Sequence, residues 1–215
     1  MIDDLFAEAP RRDTEWLAPG AALLHGFALA DESDILTAVH HIISNAPFRH
    51  MKTSRGFHMS VAITNAGPLG WISDRSGYRY IAVDPESGLT WPPLPSSLTT
   101  LAQSAAALAG YPDFQPDACL INCYVPGARM SLHQDRDEKD FAHPIVSVSL
   151  GLPAVFQLGG FERRDTYQRV PLIHGDVLVW GGESRLRFHG VLPLKIGHHC
   201  LLGERRINLT FRRAG

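Results

Sequence analysis

Residues 206–212, Arg-Ile-Asn-Leu-Thr-Phe-Arg, alternate strictly between polar and apolar side chains. Because successive side chains of a β-strand point to opposite faces, this period of two predicts a strand with one apolar and one polar face. The polar face carries Arg206, Asn208, Thr210 and Arg212. It has two readings: a solvated edge strand, or a site for a dicarboxylate, since each guanidinium offers a planar bidentate fork to a carboxylate.

Other short strands are predicted upstream of this one, separated by Pro-Gly, Gly-Gly and Gly-Asp turn signals. They cover residues 21–24, 119–125, 145–150, 154–158 and 177–180. Several short strands at this spacing indicate a β-sandwich or barrel. Two amphipathic helices are also predicted, one from Asp31 or Ser33 to about residue 45 and one over about 97–109. A doubly wound sheet is excluded because strands and helices do not alternate.

The chain has 215 residues, 45% of them hydrophobic, which suits one domain with its own core. Its formal charge of -2 excludes a generic, charge-driven nucleic-acid coat. An odd, sparse count of three cysteines suits a reducing compartment. The N-terminus, Met1-Ile2-Asp3-Asp4, is acidic where a signal peptide would be basic. We therefore expect a cytoplasmic protein. No apolar run is long enough for a membrane span. No heptad seam is present, and we expect a monomer.

His133-Gln134-Asp135 presents an imidazole and a carboxylate on one face if the segment is extended. A second histidine from another strand would complete a two-histidine, one-carboxylate face, which is typical of iron(II) oxygenases. Alone, this spacing is weak evidence, because solvated His-x-Asp pairs are common. His189 is the best third ligand, just after the Trp-Gly-Gly turn at 180–182. The competitors are His143, His174, His198 and His199.

Residues 48–95 combine dense Gly and Pro with interleaved aromatic side chains. This segment can be read as hairpins packed over a core, or as a recognition lid. Asn122 and Tyr124 share one face of the strand at 119–125 and could donate hydrogen bonds to an anionic cosubstrate. Cys119 and Cys123 take the other face, where they are expected to be buried.

These elements occur in the order Asn122-x-Tyr124, His133-x-Asp135, His189 and Arg206-x-Asn208-x-x-x-Arg212. In this order they resemble the AlkB family of Fe(II)- and 2-oxoglutarate-dependent nucleic-acid dealkylation dioxygenases. Runs at 110–122 and 177–185 extend the resemblance over most of the chain, whereas the first ~45 residues match only loosely.

The resemblance implies an α+β, mainly β fold, a double-stranded β-helix or jelly roll. The whole chain, 1–215, would form a single dioxygenase domain. Within it, residues of about 1–47 would form an N-terminal extension and helix, about 48–95 a nucleotide-recognition lid, and about 117–213 the jelly-roll core.

The same resemblance assigns the site residues. His133, Asp135 and His189 would bind iron, with no catalytic residue beyond these ligands. Arg212, Tyr124 and Asn208 would hold the distal carboxylate of 2-oxoglutarate, and Asn122 and Arg206 would lie near its iron-chelating end. Trp71 would stack on the target base, Tyr78 and Tyr80 would contact the phosphate side, and Asp137 and Arg163 would line the base pocket.

The implied activity is oxidative demethylation of 1-methyladenine and 3-methylcytosine in single-stranded DNA, and in RNA, with Fe(II), O2 and 2-oxoglutarate as cofactor and cosubstrates. Formaldehyde, succinate and CO2 would be released. A 2-oxoglutarate oxygenase acting on a protein or small molecule is the alternative, and a non-catalytic barrel binding nucleic acid or a structural metal is a third reading. The cluster of Trp71, Tyr78 and Tyr80 favours nucleic acid, because aromatic rings stack on bases.

Overall fold

The computed structural model describes residues 13–215, so residues 1–12 of the expected N-terminal extension lie outside the described residues. Its α-helices are α1 (Glu32–Asn45) and α2 (Ser96–Leu108), close to the predicted bounds. Ile35, Val39 and Ile42 form the buried stripe of α1, as their helical spacing predicts. No helix in this part of the chain is long and apolar enough to cross a membrane.

Residues 13–215 contain thirteen β-strands. These are β1 (Thr14–Ala18), β2 (Ala21–Leu24), β3 (Ala62–Ala66), β4 (Gly70–Asp74), β5 (Gly77–Ile81), β6 (Ala118–Tyr124), β7 (Met130–His133), β8 (Ile145–Gly151), β9 (Ala154–Leu158), β10 (Gln168–Leu172), β11 (Val177–Trp180), β12 (His189–Val191) and β13 (Arg206–Arg212). Short 3-10 helices cover Phe27–Asp31 and Gly182–Ser184.

Within the described range the strands form two facing antiparallel sheets and a hairpin. The large sheet has the order β1-β2-β11-β8-β13-β6-β3, the small sheet has the order β10-β9-β12-β7, and β4 pairs with β5. One apolar cluster joins α1 and α2 to the outer face of the large sheet. A second cluster, which includes Leu120, Phe156 and Trp180, fills the space between the sheets.

Strand β13 lies in the middle of the large sheet, between β8 and β6, and all seven of its residues are buried. Ile207, Leu209 and Phe211 pack in the cluster with the helices. Its polar face therefore points toward the small sheet, and the reading of this strand as a solvated edge is wrong. A buried polar face needs internal partners, which indicates a binding site between the sheets.

The segment 48–95 divides between the sheet and the hairpin. Strand β3 pairs with β6 and belongs to the large sheet, whereas β4 and β5 stand apart as a hairpin. Asn65 at the end of β3 exchanges two side-chain hydrogen bonds with the backbone of Trp71, at 2.9 and 3.0 Å, which fixes the hairpin on the sheet. At the start of the described range, Thr14 and Glu15 already belong to β1, which pairs with β2.

Candidate metal and cosubstrate site

Strands β7 and β12 bring the predicted metal ligands together. They pair in the small sheet with His133 directly opposite His189, and Asp135 follows two residues after His133. The Nε2 atom of His133 lies 3.4 Å from Asp135 Oδ1, and that of His189 lies 3.7 Å from Asp135 Oδ2. All three ligand atoms lie within 4.8 Å of one another. This spacing suits one ion bound by two nitrogens and one oxygen.

Backbone carbonyls orient both imidazoles. His133 Nδ1 donates to the Ser131 carbonyl oxygen at 2.9 Å, and His189 Nδ1 donates to that of Arg187 at 3.1 Å. A carbonyl oxygen can only accept, so the proton of each neutral ring resides on Nδ1 and the Nε2 lone pair is free. Burial, and then the neighbouring His133, lower the pKa of His189 to about 4, which keeps this ring neutral. The histidines are therefore ready to bind a cation.

Asp135 remains ionised although it is buried. Burial alone would raise its pKa, but the Arg212 guanidinium and the two imidazoles outweigh this effect and hold the pKa well below the usual value. Arg212 Nη2 and Nε donate to Asp135 Oδ2 at 2.6 and 3.1 Å. The pair fixes the orientation of the carboxylate and places a guanidinium beside the metal ligands.

The two arginines of β13 lie at opposite ends of its polar face. Arg212, expected at the distal carboxylate of 2-oxoglutarate, lies beside the ligand Asp135. Arg206, expected near the metal end, lies over the ring of Tyr124, with its guanidinium carbon 5.1 Å from the ring centroid, and donates to Ser149 at 3.0 Å. Alternation showed that both arginines share a face, but it could not show which end of the strand lies next to β7.

Polar atoms without partners lie between these two arginines. Arg206 Nε and Nη1, Arg212 Nη1 and Asn122 Oδ1 are buried and make no hydrogen bond. Six residues of a strand span about 20 Å, so the two long side chains can reach toward each other across the polar face. Unpaired guanidinium N–H groups at both ends of a buried strand face fit a ligand with two carboxylates, as 2-oxoglutarate has.

Asn208 is already engaged. Its amide nitrogen donates to Ser147 Oγ at 2.8 Å and to the Val148 carbonyl oxygen at 2.9 Å, and its oxygen accepts from Thr210 at 3.1 Å. Both N–H groups are used, so no donor is left for a carboxylate. In this geometry Asn208 orders the polar face, and its contact with the distal carboxylate of 2-oxoglutarate stays a prediction.

An aromatic pair lies at the mouth of the site. Trp71 and Tyr78 on the β4–β5 hairpin stack with centroids 5.5 Å apart and planes 18° apart. Trp71 Nε1 donates to Asp137 Oδ2 at 2.7 Å. Burial, followed by the charges of Glu138 and Asp135, raises the pKa of Asp137, while the Trp71 hydrogen bond opposes the rise. A half-exposed carboxyl thus lies beside the indole.

Tyr80 points inward, toward the acidic run that follows the metal ligands. Its hydroxyl donates to Glu138 Oε1 at 3.0 Å, and burial raises its pKa well above the usual value. Glu138 also pairs with Arg212 and Arg185, each at 3.1 Å, so it joins the hairpin to the metal end of the site. Sequence reasoning missed Glu138 and Arg185. In the charged run 135–140 no signal separates Glu138 from its acidic neighbours.

One cavity of about 810 Å³ lies between the sheets. It is lined by the three predicted metal ligands, by the two arginines of β13 and by the stacked pair of Trp71 and Tyr78. Arg163 lines it too, donating to the Leu132 carbonyl oxygen. None of the competing histidines joins the triad among the described residues. His174, for example, accepts a hydrogen bond from the Gly151 amide through Nδ1 and stacks on His199 with centroids 4.4 Å apart.

The comparisons with known proteins agree with this site. The family model described as the 2OG-Fe(II) oxygenase superfamily matches residues 20–212. Alpha-ketoglutarate-dependent dioxygenase AlkB of Escherichia coli is 55% identical over 99% of this chain and 98% of its own length. The Salmonella typhimurium AlkB protein is 56% identical over 98% of this chain and 97% of its own length.

A more distant relative and a solved structure extend the comparison. Nucleic acid dioxygenase ALKBH1 of Homo sapiens is 36% identical over 62% of this chain and 36% of its own length. The solved structure of OsALKBH1 superimposes with a TM-score of 0.83 at 29% identity, covering 94% of this chain and 100% of that one. The predicted double-stranded β-helix is confirmed, and the chain belongs to the AlkB family of Fe(II)- and 2-oxoglutarate-dependent dioxygenases.

Proposed function

We propose that this dioxygenase removes methyl groups from alkylated bases of nucleic acids, with 1-methyladenine and 3-methylcytosine in single-stranded DNA, and in RNA, as its substrates. Like its family, it uses Fe(II), 2-oxoglutarate and O2. The observation that carries the proposal is that the metal triad and the stacked Trp71–Tyr78 pair line the same cavity. Two relatives support it: AlkB of Escherichia coli is an alpha-ketoglutarate-dependent dioxygenase, and ALKBH1 of Homo sapiens is a nucleic acid dioxygenase.

In this proposal His133, Asp135 and His189 hold the iron through two Nε2 atoms and a carboxylate oxygen. Iron held there together with 2-oxoglutarate and O2 would supply the oxidising power to hydroxylate the N-methyl group, and loss of the hydroxymethyl group as formaldehyde would restore the base. Arg212 keeps the Asp135 carboxylate ionised and oriented. The protein thus provides position and charge, and the metal and cosubstrates provide the oxidising power.

For 2-oxoglutarate we propose the orientation that the arginines favour. Arg206, with the phenol of Tyr124, takes the distal carboxylate, and Arg212, with Asn122, lies near the keto-acid end beside the metal. The free N–H groups of both arginines support this arrangement. Bidentate guanidinium–carboxylate pairing selects an acid of matching length.

The target base would stack on the face of Trp71 that Tyr78 leaves open, with Arg163 at the edge of the pocket. 1-Methyladenine and 3-methylcytosine are cationic, so the carboxyl of Asp137 beside Trp71 favours them electrostatically. A base cannot reach the metal from within a duplex. Single strands and lesions that spoil base pairing avoid much of the few kcal/mol needed to extrude a base.

We also propose that the protein works as a monomer in the cytoplasm. The cavity is complete within one chain, and Cys119, Cys123 and Cys200 are all free thiols. Free thiols suit a reducing compartment.

The test is mass spectrometry of a single-stranded oligonucleotide carrying one 1-methyladenine, incubated with the protein, Fe(II), 2-oxoglutarate and ascorbate. We expect loss of the methyl group only in the complete reaction, and none with His133→Ala or without 2-oxoglutarate. Succinate formation with an intact oligonucleotide would favour an oxygenase acting on a protein or small molecule. No succinate from folded, iron-loaded protein would contradict both.

A further inference from the structure

The end of β8 lies beside the start of β13, where Arg206 begins the polar face of that strand. Gly151 is the register partner of Arg206, and Ser149 Oγ accepts a hydrogen bond from Arg206 Nη2 at 3.0 Å. The Nε and Nη1 atoms of Arg206 make no hydrogen bond and are left for an incoming anion. The direction in which these groups point therefore depends on how firmly the end of β8 is held.

The turn between β10 and β11 holds the end of β8 through hydrogen bonds. The Gly175 amide donates to the Ser149 carbonyl oxygen at 2.8 Å, and the Ser149 amide donates to the Asp176 carbonyl oxygen at 2.9 Å. These two bonds join backbone atoms and depend little on residue type. By contrast, the Gly151 amide donates to a side chain, His174 Nδ1, at 2.8 Å. This bond is lost if the histidine is replaced by a residue without an acceptor there.

Gly151 ends β8 in a conformation that ties it closely to the strand of Arg206. Its φ is 87°, in the left-handed region, and a Cβ at this position would lie 2.3 Å from the Arg205 carbonyl oxygen. Gly151 is buried, and a buried amide needs an acceptor. If the amide loses the one that His174 provides, we expect its peptide group to shift and to move residues 205–206 with it.

Glu32, the first residue of α1, fixes the His174 ring in the form that can accept. Because Nδ1 accepts from an N–H group, the proton of the neutral ring lies on Nε2, which donates to Glu32 Oε1. The side chain of His174 is 13% exposed and that of Glu32 is 33% exposed. A carboxylate bonded to one imidazole nitrogen sets the orientation of the ring and the position of its proton, as it does behind metal-bound histidines.

One face of the His174 ring is covered by His199. The two imidazoles stack with centroids 4.4 Å apart and planes 29° apart. His199 Nδ1 accepts from the Leu201 amide at 3.3 Å. Burial, and then the neighbouring His174, lower the pKa of His199, which favours the neutral ring. The stack therefore joins the turn that carries His174 to the loop that leads into β13.

We propose that His174, oriented by Glu32, is a positioning residue for 2-oxoglutarate. Through the Gly151 amide it keeps the end of β8 in place, and with it the Ser149 hydroxyl that holds Arg206 toward the distal carboxylate. His174 and Glu32 are not among the residues that line the cavity, so they act through β8 and not by contact. This inference rests on the proposed function, in which Arg206 takes that carboxylate.

The first test is calorimetric binding of 2-oxoglutarate to the Mn(II)-loaded protein, which requires no turnover. In His174→Gln the amide nitrogen takes the place of Nε2 and no acceptor is left at Nδ1. We expect this variant to raise the Kd about five- to tenfold, because a charge-assisted hydrogen bond of Arg206 is weakened and not removed. Glu32→Ala, at a partly exposed position, should raise it in the same direction but by less.

Two further variants separate positioning from a general loss of stability. His174→Asn places an oxygen where Nδ1 was, so it should keep the wild-type Kd although it loses the bond to Glu32 Oε1. His40→Gln, at an exposed histidine about two turns further along α1, should change nothing. If His174→Gln and His174→Asn both lower the Tm but leave the Kd unchanged, His174 has only a structural role and the inference is overturned.

The second test asks whether His174 acts through Arg206, with succinate production as the readout. His174→Gln should raise the KM for 2-oxoglutarate and leave kcat at saturating 2-oxoglutarate unchanged. Added to Arg206→Gln, it should raise the KM no further, because residues of one network are not additive. A full further increase would overturn the inference.

Arg206→Gln that by itself leaves the Kd and KM for 2-oxoglutarate unchanged would overturn both the orientation of the cosubstrate and this inference. Failure of the demethylation proposal would be visible separately. Wild-type protein that leaves a methylated oligonucleotide intact would overturn that proposal, and the calorimetric comparison would still decide the role of His174.

Discussion

Arg206 is a buried cation with which no carboxylate of residues 13–215 pairs. Burial lowers its pKa, and Tyr124 opposes that effect only in part. For Arg212 the net effect on the pKa is the opposite. Burial again lowers the pKa, but Asp135, Tyr80 and Glu138 outweigh burial and raise the pKa above the usual value. A buried charge without a counterion is costly. At the scale of the residue, Arg206 is thus prepared for an anion that arrives with the cosubstrate.

We therefore expect Arg206→Gln to raise the KM for 2-oxoglutarate by about 10–100-fold, since charge-assisted hydrogen bonds contribute about 1.5–3 kcal/mol each. Binding of an unmodified oligonucleotide should stay unchanged, because Arg206 lies on the buried face of β13 and not beside the stacked Trp71–Tyr78 pair. Succinate production measured against 2-oxoglutarate concentration checks the first expectation. Arg205→Gln, an exposed neighbour, is the matched control. An unchanged KM in Arg206→Gln would contradict the assignment.

The sequence predicted which residues share a face better than it predicted what each one contacts. The spacing of His133 and Asp135 placed them on one face, and β7 and β12 bring His189 opposite. Alternation also placed Arg206 and Arg212 together. Their order along the cavity could not be predicted, because it depends on which strand of the other sheet faces each end. Partner choice within the run 135–140 is likewise set by tertiary contacts.

Among the elements, the turn after β5 shows how one carboxylate can order a loop. Asp84 is buried, pairs with Arg49 at 2.6 Å and accepts from the Glu86 amide and the Ser87 hydroxyl. Burial alone would raise its pKa, but these partners outweigh it and lower the pKa. A lowered pKa means that the folded state is stabilised by the ionised form.

We expect Asp84→Asn to lower the free energy of unfolding by about 1–3 kcal/mol at pH 7. The contribution is fully present above the unfolded pKa of about 3.9 and is lost as the pH falls through the lower folded pKa. The difference between wild type and variant should therefore narrow below about pH 4 in urea titrations. The Glu86 side chain is mostly exposed, so Glu86→Gln should change the free energy of unfolding little at any pH. If the difference in free energy of unfolding between wild type and Asp84→Asn did not change with pH, the charge of Asp84 would not be what stabilises the turn.

Element prediction succeeded where a pattern was long or bounded by turns. The bounds of β2, β9, β11 and β13 match the expected ranges. Strands β7 and β12, of four and three residues, were not predicted from the sequence. Their existence depends on pairing with each other and with β9, which is a tertiary property.

At the scale of the molecule, the site joins the two sheets. The small sheet contributes His133 and His189, whereas the large sheet contributes Asn122, Arg206 and Arg212. Between the sheets the apolar cluster is interrupted by these polar groups, whose unsatisfied atoms lower the stability of the ligand-free fold. Ligands that fill the cavity should bind the folded state alone, and so stabilise it.

We expect Mn(II), which takes the same ligand types, together with 2-oxoglutarate to raise the Tm clearly. At 100 times its Kd a ligand stabilises by about 2.7 kcal/mol, which for a chain of this size corresponds to about 5–10 °C. His133→Ala, whose side chain is partly exposed, should fold but lose the shift, and EDTA should abolish it in the wild type. His198→Ala, an exposed histidine outside the site, should keep it. A full shift in His133→Ala would place the metal elsewhere, because a site that lacks one of three ligands cannot retain the same affinity.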